Sequence, residues 1–212
     1  MTGEAARPVP AWLVPLRDAA ALVSAEDLSR FTPPPGASRR SAVLVLFGED
    51  THGPDVLLIE RAHDMRSHAG QPAFPGGVVD RTDTDAVAAA LREAHEETGL
   101  DPSGVDVLTV LPDLFLPPSG FVVTPVLAYW RVPSAVAPGD PAEVASVHRV
   151  PIAELVDPAN RVRVQHPSGY VGPGFEVAGL LVWGFTGGLL DRLLTLGGFG
   201  EPRPTTRVVQ LN

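Results

Sequence analysis

Glutamates stand at positions 93, 96 and 97 inside "DAVAAALREAHEETGL", a stretch whose alanines and leucines recur at helical spacing. On a helix Glu93 and Glu97 lie one turn apart on the same face, where like charges cost roughly 0.2–0.5 kcal/mol per pair, so they are not there to strengthen it. Carboxylates at i, i+3 and i+4 come within reach of one another. Oxygen-only ligands of this kind suit a hard cation, Mg²⁺ or Mn²⁺, which keeps several waters and is bound jointly with substrate phosphates. The competing explanation is a solvated acidic face in which Arg92 pairs with Glu96 at i, i+4. Three glutamates alone favour that explanation.

The surroundings favour the cation. With roughly 100° per residue, Val87, Ala90, Leu91, Ala94 and Thr98 form the core-facing stripe. Glu93 and Glu97 fall along its flank beside Ala86, Ala89 and Ala90, at the boundary of core and solvent, and Glu96 is one step further out. Upstream, Gly76 and Gly77 form a bend whose backbone a metal or phosphate could approach. Asp80, Asp83 and Asp85 load negative charge at the helix start, with Asp83 or Thr84 as its N-cap, and Gly99 supplies the stop.

These side chains need a scaffold. "AWLVPLRDAAALVSAEDLSRF" mixes short helical patterns, with Ser24 and Asp27 spaced as a helix-start cap, and "TPPPGASRR" then breaks any helix. The organisation read from this is an N-terminal arm over residues 1–40 and one domain over 41–212. "SAVLVLFGED" and "DVLLIERA" predict an antiparallel pair. After the glutamate helix, "VDVLTVLPDLFLP", "FVVTPVLAYWRV" and "VASVHRVPIAEL" are strand candidates, and "AGLLVWGFTGGLLDRLLTL" predicts a second helix, buried. The element order does not alternate βαβα; it predicts a mixed β-sheet packed between helices, an α/β/α sandwich of α+β type.

Bulk properties exclude several functions. The chain has 212 residues, 44% hydrophobic, with net charge −9 and no basic block, which argues against a grip on nucleic acid. The absence of cysteine removes disulfides, thiolate metal sites and cysteine nucleophiles together. No secretory pattern opens the chain, and the charge-free run between Glu176 and Asp191 is too short to span a bilayer, so a cytoplasmic protein without a membrane partner is expected.

"REAHEETGL", Arg92 to Leu100, resembles the second half of the signature of the Nudix hydrolases and matches it at every fixed position. The first half departs: from Gly77, five residues lead to Asp83 where the family has Glu, and eight residues rather than seven separate it from Arg92. "RAHDMRSHAGQPAFPGG", Arg61 to Gly77, is similar to the extension upstream of the box in the coenzyme A pyrophosphatase branch, with Ala62 and Met65 in place of Ser and Leu. "VWGFTGGLLDRLL" resembles that branch's closing helix.

The resemblance implies the Nudix fold and metal-dependent hydrolysis of a diphosphate linkage in coenzyme A or a derivative. It implies Glu93 and Glu97 as metal carboxylates, Glu96 as a further ligand or the general base, the Gly77 carbonyl as an additional ligand, and Arg92 as the residue that orients a glutamate. Arg61, Arg66 and His68 become candidates for substrate contact or for pinning the loop, and Gln71 a candidate leaning to structure, as does Phe74. Glu143 lies in a late loop of the type that supplies another acid in some members, with a solvated carboxylate the simpler expectation. His95 is expected on the side of the helix away from Glu93; His148 and His166 have no evident partner, Ser119 fits a turn, and Trp183 and Phe185 are expected to be buried. A small-molecule substrate is the expected partner, and an oligomer is compatible with the sequence. The alternatives are a Nudix hydrolase of NADH or ADP-ribose, and a non-catalytic Nudix-fold binding module, which typically loses box glutamates that are all present here.

Overall fold

The computed structural model describes residues 9–64, 69–117, 119–200 and 207–211. Arg66 and His68 lie outside them. Two short helices come first, α1 (Val14–Ala20) with proline in its first turn and α2 (Ala25–Leu28). Ser24 and Asp27 cap α2 reciprocally, as their spacing predicts: the Ser24 side chain accepts from the Asp27 N–H, and the Ser24 N–H donates to the Asp27 carboxylate at 2.9 Å. Leu13, Leu16, Ala20 and Leu28 are buried.

The expected hairpin is present: β1 (Arg40–Asp50) and β2 (Gly53–Arg61) pair antiparallel, Phe47 opposite Val56 and Asp50 opposite Gly53. Beyond Phe47 and Val56 the two strands part, and the chain returns to fill the wedge between them. β3 (Pro72–Ala73) pairs with Ile59 and Glu60 of β2, and β4 (Gly76–Val78) pairs with Ser41 to Val43 of β1. Between them Phe74 is buried, and the Pro75 carbonyl accepts the Leu44 N–H at 2.8 Å. The double-glycine bend is thus built into the sheet.

The other edge of β1 runs parallel to a long strand. β5 (Val105–Val110) and β6 (Leu114–Leu116) each pair antiparallel with β7 (Phe121–Trp130), β7 pairs parallel with β1, and β8 (Val144–Pro151) lies antiparallel on β2. The result is an eight-stranded mixed sheet. On one face, α3 (Ala86–Thr98) sets Ala89, Ala90 and Ala94 on Leu44, Leu46, Leu57, Val126 and Trp130. The other face packs against α1, α2, α4 (Ile152–Val156) and α5 (Gly184–Leu196). It also meets a second sheet of β9 (Arg161–Gln165), β10 (Val171–Val177), β11 (Leu180–Val182) and β12 (Val208–Gln210), in the order β11-β10-β9-β12. Helices on both faces of a mixed sheet are the α/β/α arrangement expected; the small second sheet was not anticipated.

Two segments differ from expectation. The helix predicted from Ala178 begins only at Gly184, because Val177 closes β10, Ala178 and Gly179 turn with φ of 51° and 76°, and Leu180 to Val182 form β11. A short apolar run satisfies strand and helix patterns alike. "IAEL" leaves the β8 strand at Pro151 and becomes α4. Among the described residues no helix is long and apolar enough to cross a membrane.

Candidate active site

α3 is the element that aims the acids. Its N-cap is Asp85, whose side chain accepts the Ala88 N–H at 2.9 Å; neither Asp83 nor Thr84 holds that place. Gly99, with φ of 69°, ends it, and its N–H donates to the His95 carbonyl at 2.8 Å. The exposed His95 places Nδ1 2.7 Å from the Leu100 carbonyl, and the N–H groups of Gly139 and Ala137 take the carbonyls of Glu97 and Thr98 at 2.9 Å each. Both ends of the helix are therefore pinned.

The buried face of α3 is rotated from the predicted stripe toward the glutamates. Ala89, Ala90, Ala94, Glu97 and Thr98 are buried, while Val87 and Leu91 are only partly so. Glu97 is thus part of the buried face, with 6% of its side chain exposed, against 19% for Glu93 and 56% for Glu96. The wedge at the open end of β1 and β2 explains the rotation: it brings the glycine bend up against this flank of the helix.

Each glycine of the bend has a distinct reason to be glycine. A Cβ on Gly76 would lie 2.3 Å from the Ala42 carbonyl oxygen, and one on Gly77 would lie 2.3 Å from Cδ of Glu93. The Gly76 N–H donates to Glu97 Oε2 at 2.8 Å. The carboxylates of Glu93 and Glu97 therefore both rest against the bend.

Arg92 organises the rest. Its Nε and Nη2 grip both oxygens of Asp83 at 3.0 and 2.9 Å, Nη2 also donates to the Val78 carbonyl at 3.1 Å, and Nη1 donates to Glu93 Oε1 at 3.0 Å and Glu96 Oε2 at 3.1 Å. Arg92 thus touches two of the three glutamates, including Glu96 at i, i+4. Asp83, expected as a cap, instead fixes the arginine bidentately, and that pairing holds its carboxyl below the usual range. The position is legible in the signature, where Asp83 stands in the place of a glutamate.

The three carboxylates do not converge as a set. Among the described residues no group of three acidic or imidazole side chains is close enough to enclose a metal ion, because Glu96 is turned toward Arg92 and solvent. What remains suits a cation held by two carboxylates, with the balance of its shell from water and substrate oxygens, as Mg²⁺ prefers. The electrostatics favour this. Burial pushes Glu97 up to about 7, against the opposing pull of the Gly76 N–H and Arg61 and with Glu93 and Glu143 adding repulsion. Burial likewise raises Glu93, despite Arg92. A buried and a half-buried carboxylate resting on one bend are a fit for an added positive charge.

The remaining candidates are dispersed. Arg61 Nη1 lies 4.0 Å from Glu97 Oε1. Gln71 borders a recess of about 450 Å³ with Glu60, His166 and Trp183. A second recess, of about 490 Å³, lies at the end of α3, bounded by Glu96, Gly99 and Pro138. Glu143 is exposed, and its carbonyl accepts the Ala62 N–H at 2.9 Å. His148 Nε2 is 2.6 Å from Ser146 Oγ, which donates to Glu60, and His166 stacks on Trp183 with centroids 5.5 Å apart. Trp183 and Phe185 are half-buried, and Ser119 sits in a turn with its N–H on the Leu116 carbonyl. A pair not anticipated is Asp55 with Arg149, whose guanidinium lies over the Trp130 ring.

Residues 37–170 match the family model described as the NUDIX domain. A protein of Enterobacter sp. (strain 638) described as "Uncharacterized Nudix hydrolase NudL" is 38% identical over 163 residues, 74% of this chain and 82% of the relative. A protein of the same description from Cronobacter sakazakii is 41% identical over 162 residues, covering 73% and 81%. Among solved structures, a NUDIX hydrolase from Nitrosomonas europaea aligns with a TM-score of 0.51 at 17% identity, over 82% of this chain and 81% of that one. The Nudix hydrolase RenU from M. smegmatis aligns at 0.50 and 20% identity, over 79% and 90%. These two share the fold.

Proposed function

The chain belongs to the Nudix hydrolase family, and from that premise we propose that it hydrolyses the diphosphate linkage of coenzyme A or a derivative, giving 3′,5′-ADP and 4′-phosphopantetheine or its acyl form. The observation that carries the reading is the pair of carboxylates, Glu93 and Glu97, resting on the Gly76–Gly77 bend. Glu93 and Glu97 would hold Mg²⁺ or Mn²⁺, with Glu96 and the Gly77 carbonyl as further candidates. The cation supplies neutralisation of charge on the diphosphate.

Hydrolysis adds water to one phosphorus and releases the other phosphate, so both nucleophile and leaving group are oxyanions. Positioning and charge neutralisation carry most of the catalysis. Arg92, gripped by Asp83, holds Glu93 against rotation and keeps Glu96 at the edge of the site, where an exposed carboxylate is free to take a proton from water. Arg61 offers bidentate geometry to phosphate, and Arg66 and His68 are candidates for the 3′-phosphate. The preference for coenzyme A rests on the Arg61 to Gly77 stretch, whose described part frames the acids.

The test is coenzyme A incubated with protein and Mn²⁺ in water enriched in heavy oxygen, products resolved by mass, with NADH in parallel. Release of 3′,5′-ADP supports the proposal, and the label identifies the phosphorus attacked. AMP from NADH with coenzyme A untouched transfers the assignment to another nucleoside diphosphate derivative. No turnover of either, with Mn²⁺ bound, revives a binding module.

A further inference from the structure

Arg61 ends β2 and is held at its backbone on both sides: its N–H donates to the Gln71 carbonyl at 3.2 Å, and its carbonyl accepts the Gly70 N–H at 3.1 Å. Its side chain is much less committed. About a quarter of it is exposed, Nη1 approaches Glu97 only to 4.0 Å, and the buried Nε has no acceptor among the described residues. Glu97 is correspondingly under-served, since its other oxygen has only the Gly76 N–H. A fixed backbone, a guanidinium held among the described residues only by a 4.0 Å ion pair and a buried carboxylate with one N–H donor together describe an exchangeable pair.

We propose that Arg61 is the resident counter-charge of Glu97 in the cation-free protein and yields that carboxylate to the entering divalent ion, its guanidinium then turning to the diphosphate of the substrate. The inference rests on the reading of Glu93 and Glu97 as cation ligands. A divalent ion on Glu93 and Glu97 cancels the negative charge that attracts Arg61. The guanidinium then gains by meeting phosphate oxygens, which match its fork. Ion and Arg61 therefore compete before substrate arrives and cooperate afterwards, a coupling that linkage makes reciprocal.

The test uses the full chain without substrate at pH 8.5, with Mn²⁺ binding followed by calorimetry and by the spin-resonance signal of free Mn²⁺. Removing the competing charge in Arg61→Gln tightens Mn²⁺ binding about tenfold. Arg61→Lys, which keeps the charge, stays within about twofold of wild type. In turnover, Arg61→Gln raises KM for coenzyme A about tenfold with a smaller change in kcat. Unchanged or weaker Mn²⁺ binding in Arg61→Gln overturns the proposal, as does equal tightening in Arg61→Lys, which would assign the effect to packing. Should Arg61→Gln fail to fold, Arg61→Met keeps the apolar stem and carries the same measurement. A wild-type chain that binds no Mn²⁺ is a different failure, that of the cation site itself.

Discussion

Replacing Gly77 by alanine separates the geometry of the site from the stability of the fold. Gly77 is not among the glycines with left-handed φ, so alanine adopts its backbone without strain. The added Cβ would lie 2.3 Å from Glu93 Cδ and 2.4 and 2.5 Å from its two oxygens. Ordinary carbon contacts begin near 3.5 Å, so the carboxylate must retreat by about 1 Å. It can do so because it is the far end of a flexible side chain. A displacement of that size at a positioning group costs about 10²-fold in rate, or roughly 2.7 kcal/mol of transition-state stabilisation. The expected outcome for Gly77→Ala is a melting free energy within about 1 kcal/mol of wild type, Mn²⁺ affinity reduced at least tenfold, and kcat/KM for coenzyme A reduced about a hundredfold. Gly76→Ala is the contrasting case: its Cβ meets the Ala42 carbonyl and Val43 Cα, backbone that cannot move aside, and should cost about 2–4 kcal/mol of stability. Wild-type Mn²⁺ affinity and kcat/KM in Gly77→Ala would refute the placement of Glu93 as a ligand.

Further outcomes follow from the same contacts. Burial holds Glu97 up to about 7 against 4.5 when unperturbed, so between those values the folded, cation-free protein keeps a proton that the unfolded chain has lost. Its stability therefore falls as pH rises through that window, by on the order of 3 kcal/mol; melts in chelator should show this slope for wild type and a flatter one for Glu97→Gln. Asp83→Ala releases Arg92, and kcat should drop about tenfold with little change in KM, a result that equal loss in Asp83→Asn would sharpen by assigning it to charge. Arg149→Met strands the buried Asp55 carboxylate, already raised by burial, and urea denaturation should register a loss of about 3 kcal/mol with Mn²⁺ binding intact.

The helix and its acids were readable because helical period fixes Glu93 and Glu97 to one face whatever surrounds them. How deeply they sit was not readable. Glu97 is buried because residues 72–78 enter a wedge between two strands that are parted on the N-terminal side of Phe47, a long-range event without local signature. The double glycine was legible as a bend, but the backbone of Ala42 and the carboxylate of Glu93 are what exclude larger residues there. The cap expected at Asp83 or Thr84 falls instead at Asp85, which leaves Asp83 free for Arg92, a pairing set by tertiary reach. The small sheet escaped notice because β9 carries two arginines and β10 a Gly-Pro-Gly core, which weaken the usual strand pattern, and its pairing of β12 with β9 is remote in sequence.

Because the bend is hydrogen-bonded to β1 along one edge while its neighbours at Pro72 and Ala73 are bonded to β2, the segment cannot swing aside without unzipping both strands. Amide protons of Leu44 and Gly76, donors to Pro75 and Glu97, should accordingly exchange with deuterium at the pace of whole-domain opening, with or without bound nucleotide. Mutations that speed breathing of this wall should surface as lost thermal tolerance before they surface as altered turnover.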